Sequence, residues 1–105
     1  MSSLRNFLFR FPRFDTDSRV DFILGEAVFL GTCFEISESG LRCKFSVPLL
    51  PGSEGLITLY EDGRSYSAHA SILDVHEGVA TASFQFASEQ ELNAVRQFIK
   101  LLSPS

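Results

Sequence analysis

Alternating apolar and polar positions predict short β-strands joined by tight turns along most of this chain. "RVDFIL" (19–24) reads as a strand, followed by a turn at Gly25-Glu26. "AVFLGTCFEI" (27–36) reads as a long strand, and Gly31 marks an expected bulge or bend because glycine weakens a strand interior. After a turn over 37–40, "LRCKF" (41–45) puts Leu41, Cys43 and Phe45 on one face and Arg42 and Lys44 on the other. The prolines and glycines of "SVPLLPGSEG" (46–55) predict a loop. "LITLY" (56–60) and "SYSAHASIL" (65–73) flank Glu61-Asp62-Gly63-Arg64, where Asp-Gly signals a hairpin. A further hairpin at Glu77-Gly78 leads into "VATASFQF" (79–86). Strands this short and closely spaced predict an antiparallel barrel or sandwich rather than a parallel sheet.

The periodicity then changes. Ser88-Glu89-Gln90-Glu91 is a capping box, in which Ser88 caps the amide of Glu91 and the Glu91 carboxylate reaches back. Leu92, Val95, Phe98, Ile99 and Leu102 follow at helical spacing, with Pro104 as the stop. One amphipathic C-terminal helix is expected, starting at Ser88 and burying Leu92, Val95, Phe98 and Ile99. At the other end, Leu4, Phe7, Leu8 and Phe11 share a helical face, which allows a short helical turn ahead of Pro12. The expected division is a basic, phenylalanine-rich leader over 1–18 and a barrel with its helix over 19–102.

Composition narrows the function classes. The 105 residues, 45% of them hydrophobic, suit one globular domain, and 11 phenylalanines without tryptophan suggest a core of phenyl rings. A net charge of −4 argues against nucleic acid as a partner, which would require a broad basic surface. That average hides an asymmetry: Arg5, Arg10 and Arg13 all precede the first acidic residue, Asp15. A local cationic arm on an acidic body suits a small anion. No apolar run approaches the ~20 residues of a membrane span, and the leader arginines interrupt the only candidate export signal. No stable membrane insertion and a cytoplasmic location are therefore expected. Strict alternation around Phe34 and Ile36 would put Cys33 and Cys43 on opposite faces, as free thiols of a reducing compartment.

Nothing points to catalysis. His69 and His76 lack a second histidine or cysteine at ligand spacing, so no metal site is expected. Ser37 has no evident base, and Asp15, Asp17 and Asp21 read as a solvated face. Neither an enzyme nor a cofactor is expected.

The order of leader, strand, long strand, "EISESGL" (35–41), strand, Pro-Gly loop, hairpins and terminal helix resembles a PilZ domain over most of the chain. The resemblance implies a six-stranded antiparallel β-barrel with one C-terminal α-helix. That family pairs Arg-x-x-x-Arg before the first strand with Asp/Asn-x-Ser-x-x-Gly after the second, and known members bind cyclic di-GMP. Carried over residue by residue, the resemblance implies a ligand site of Arg10, Arg13, Glu35, Ser37 and Gly40. Arg13, Ser37 and Gly40 match. Phe9 stands where the first arginine belongs, Arg10 lies one position late, and Glu35 is one methylene longer than aspartate.

The chemistry suits such a ligand. Arginine grips phosphate by charge and fork geometry and reads guanine with paired donors. A tight Ser-x-x-Gly turn offers a hydroxyl and close backbone approach. Ser37 and Gly40 also make a good turn with no ligand, and Arg10 and Arg13 also serve simply to keep an aromatic leader soluble. The expected function is a single-domain PilZ-like receptor, monomer or weak dimer, that binds cyclic di-GMP and relays the signal to an effector protein. The alternative is a degenerate PilZ adaptor that binds no nucleotide and works through protein contacts. A third reading makes the Phe/Arg leader an interfacial anchor on an anionic membrane.

Overall fold

The computed structural model describes residues 11–102. Six strands, β1 (Phe14–Leu24), β2 (Ala27–Ile36), β3 (Gly40–Phe45), β4 (Glu54–Glu61), β5 (Arg64–His76) and β6 (Val79–Phe84), precede one helix, α1 (Glu89–Leu102). All strand pairs are antiparallel and close in the order β1-β2-β3-β6-β5-β4. The closing seam joins β4 to β1 from Val20↔Leu59 to Ile23↔Leu56. Closure leaves no open sheet edge along that seam, and the barrel with one C-terminal helix is the architecture expected.

Local turn chemistry fixes the hairpins. Asp62 and Gly63 have φ of 54° and 75°, and Glu77 and Gly78 have 52° and 82°. Positive φ at both central residues defines the tight turn whose twist matches that of its strands. Val20, Phe22, Ile36, Leu41, Ile57, Leu59 and Ile72 are almost wholly buried inside. The phenyl core is narrower than composition suggests: Phe22, Phe84 and Phe98 are buried, while Phe14, Phe29, Phe45 and Phe86 pack partly exposed against the same cluster.

α1 packs mainly on β5 and also touches β1. Val95, Phe98 and Ile99 are buried as expected, whereas Leu92 is only half-buried. The Ser88 hydroxyl caps the helix by accepting the Glu91 amide at 3.3 Å. The Glu91 carboxylate reaches farther than a capping box requires. It accepts the Ala87 amide at 3.0 Å and the His69 amide at 2.9 Å, and it contacts His69 Nδ1 at 2.7 Å. Burial works to raise this carboxyl, but the hydrogen bonds from Ala87 and His69 outweigh it and hold the group below the ordinary glutamate value. A lowered folded-state pKa means stability that is fully present above the ordinary value and lost as pH falls through the folded one. Glu91→Gln is expected to cost about 1 kcal/mol at pH 7. Its urea midpoint should fall less than the wild type's between pH 6 and pH 3. Parallel acid limbs for the two proteins would contradict this role.

Four expectations need correction. β1 begins at Phe14, not Arg19, so residues 14–18 lie in the sheet rather than in the leader. Thr16 and Ser18 are polar, and the Ser18 hydroxyl is satisfied by Glu61 Oε1 at 2.9 Å on neighbouring β4. Gly31 is no bulge: it pairs in register with Val20 and Phe45. Glycine stands there because a Cβ would meet the Lys44 carbonyl oxygen and the Phe45 ring. The bulge lies immediately beyond Cys33, where the register slips between Cys33 and Glu35 and leaves Phe34 as the extra residue. That slip resets the alternation, so Cys33 and Cys43 are direct cross-strand partners, both buried, rather than on opposite faces. They remain free thiols. Burial, then contact with Cys33, pushes the Cys43 thiol well above its ordinary value.

Asp21 is the fourth. Asp15 and Asp17 are exposed, but Asp21 is buried, accepts the Tyr60 hydroxyl at 2.9 Å and pairs with Arg19 at 3.4 Å. The hydrogen bond to Asp21 raises the Tyr60 hydroxyl, and the Arg19 guanidinium lies 4.7 Å from the Tyr60 ring centroid. This group ties β1 to β4. No helix among the described residues is long and apolar enough to cross a membrane.

Candidate functional site

The turn between β2 and β3 is held from within. The Ser37 amide donates to the Gly40 carbonyl at 2.8 Å, and the Ser37 hydroxyl accepts the Ser39 amide at 3.2 Å. The same hydroxyl lies 3.0 Å from the Ser39 hydroxyl. Ser39 in turn accepts the Phe84 amide at 3.0 Å, and Gly40 pairs with Ser83, which fastens the turn to β6. Ser37 is 1% exposed, so its side chain braces the turn. Glu38, at the tip, reaches α1 through an ion pair with Arg96 at 3.1 Å.

Register brings a cation to each side of Glu35. Asp15 pairs with Glu35 and Phe14 with Ile36, which places Arg13 beside the end of β2. Arg13 Nη1 donates to Glu35 Oε2 at 2.8 Å. On the other flank, the turn register that pairs Ile36 with Leu41 sets Glu35 opposite Arg42, whose Nη1 donates to Glu35 Oε1 at 3.4 Å. The Arg42 guanidinium also sits over the Phe34 ring, 5.6 Å from its centroid. The carboxylate is 13% exposed, against 42% for the Arg13 side chain and 40% for Arg42. Two guanidiniums thus converge on one carboxylate at the surface.

Arg13, Glu35, Ser37, Gly40 and Arg42 line one shallow depression floored by Ile36 and Leu41. The depression has no enclosed space, so a ligand would lie across it and over the surrounding surface. Four of the five residues expected at the site are thus brought together. The fifth, Arg10, lies outside the described residues. Arg42 is the residue the sequence reading missed. The available signal was a basic residue two positions after Gly40, which falls opposite Glu35 once Ile36 and Leu41 pair across the turn.

Fold and site define a small closed-barrel module with an arginine approaching a Ser-x-x-Gly turn. The chain belongs to the PilZ domain family, whose profile matches residues 9–102. No curated protein matches it significantly. Among solved structures, it is similar to the PilZ domain of CeSA from a cellulose-synthesizing bacterium, with a TM-score of 0.75 and 17% identity, covering 87% of this chain and 97% of that one. The Bacillus subtilis inhibitor of motility MotI/DgrA superposes with a TM-score of 0.66 at 13% identity, covering 88% of this chain and 49% of that one. An uncharacterized Legionella protein gives 0.62 at 17% identity, covering 88% and 94%. At these identities the likeness is one of fold.

Proposed function

We propose that this chain is a cyclic di-GMP receptor domain that passes the signal to a partner protein. The observation that carries the reading is the convergence of Arg13 with the Glu35-x-Ser37-x-x-Gly40 turn on one depression. The turn is pre-formed, so a ligand meets fixed backbone there, while Arg13 supplies charge and paired donors. Membership in a family of cyclic di-GMP receptors and adaptors supports the same ligand.

Calorimetric titration with cyclic di-GMP tests this. Wild type is expected to bind, and Arg13→Ala to bind about five- to hundredfold more weakly, the equivalent of ~1–3 kcal/mol. Its melting temperature should barely move, because a half-exposed ion pair contributes only about 0–1 kcal/mol. Equal affinity for the two proteins would show that Arg13 does not hold the ligand.

The adaptor reading has its own observation. Val47 is 45% exposed and Leu50 is 76% exposed beside a cleft of about 220 Å³ lined by Phe45, Pro48, Leu49, Val75 and Ala80. An apolar surface of this kind suits a protein contact. It serves either reading, since a receptor also needs a surface through which to act. Absence of cyclic di-GMP binding by the wild type would leave the adaptor.

A further inference from the structure

We propose that Arg42, on β3, is the second cation of this site, and that a phosphate of the ligand takes both guanidiniums over from Glu35. The inference rests on the cyclic di-GMP reading. Phe9 stands where the family places its first arginine, and Arg42 is a cation that the barrel itself brings to the site. Arg42 lies on the opposite side of Glu35 from Arg13, with a half-exposed side chain.

The geometry is that of an anion already held. Each oxygen of the Glu35 carboxylate takes one guanidinium, Oε2 that of Arg13 and Oε1 that of Arg42. The two non-bridging oxygens of a phosphodiester offer a comparable pair of acceptors. Arg42 makes the longer contact, 3.4 Å against 2.8 Å, and so opens more readily. Its guanidinium is steadied on the Phe34 ring, and its backbone is fixed by pairing with Glu35 on β2 and Thr81 on β6. A cation on a barrel strand needs less ordering on binding than one on a terminal arm. Until phosphate arrives, the Glu35 carboxylate occupies both guanidiniums and so competes with the ligand for them.

The test is titration of the full chain with cyclic di-GMP, comparing wild type with Arg42→Ala, Arg42→Lys, Arg42→Gln and Glu35→Gln. Arg42→Ala is expected to weaken binding about tenfold or more, with Arg42→Lys intermediate because it keeps charge but loses the fork. Glu35→Gln is expected to bind at least as tightly as wild type, since no carboxylate then competes for the guanidiniums. Unchanged affinity in Arg42→Ala overturns the role of Arg42 while leaving the receptor reading intact. A tenfold loss in Glu35→Gln overturns the exchange. Should Arg42→Ala melt well below wild type, Arg42→Lys and Arg42→Gln decide: equal affinities overturn the proposal, and tighter binding by lysine supports it. No binding by wild type overturns the receptor reading itself, and this inference with it.

Discussion

Phe98→Ala is expected to remove about 3–5 kcal/mol of folding stability, the cost of truncating a buried phenylalanine whose surroundings cannot fully collapse. Phe98 is fully buried on α1 and meets the Tyr66 ring edge-on, with centroids 5.6 Å apart. Tyr66, Ala68 and Ala70 are buried on β5, the strand on which α1 mainly packs. A domain of this size has only about 5–15 kcal/mol in total. The melting temperature should drop by more than about 10 °C. Where the alanine variant does not fold, Phe98→Leu serves in its place, with an expected loss of about 1–2 kcal/mol. A loss under ~1 kcal/mol for alanine would mean that α1 is loosely docked and not part of the barrel core.

Gly55→Ala is expected to destabilise by about 1–3 kcal/mol despite adding a single methyl group. In an open site, glycine to alanine gains about 0.4–1 kcal/mol by restricting the unfolded chain. Here the new Cβ would meet the Ile23 carbonyl oxygen and lie 3.0 Å from Cζ of Phe22. The first contact is backbone, so relief requires β4 to move off β1 at the seam that closes the barrel. The clash therefore outweighs the entropy. A lower urea midpoint and faster amide exchange across Val20–Ile23 are expected. A midpoint at or above the wild-type value would show that the seam yields at no cost.

How far the sequence could be read depended on whether each feature is local. The Asp62-Gly63 and Glu77-Gly78 hairpins, the Ser88 cap and the Val95, Phe98 and Ile99 stripe depend on near neighbours, and all were legible. The start of β1 was not, because Thr16 and Ser18 are polar and the partner of Ser18 is Glu61, 43 residues away. Phe34 reads as an ordinary strand position until β3 is laid beside it. The resulting slip hid the pairing of Cys33 with Cys43. At the site, the Ser-x-x-Gly spacing announced a turn correctly, but the burial of Ser37 depends on contacts the turn makes with itself and on the attachment of Ser39 to β6. Gly31 showed that something was unusual without showing what, since a close backbone approach and a bulge call for the same residue.

The claim that cyclic di-GMP binds between Arg13 and the β2–β3 turn is tested most directly by following backbone amides of the isotope-labelled full chain during titration. The largest shifts are expected at Arg13 and across Glu35–Arg42. The apolar cleft around Phe45, Val75 and Ala80, beyond the opposite end of β3 from that turn, should stay unmoved. No shifts at saturating ligand, or shifts gathered on that cleft, would contradict it.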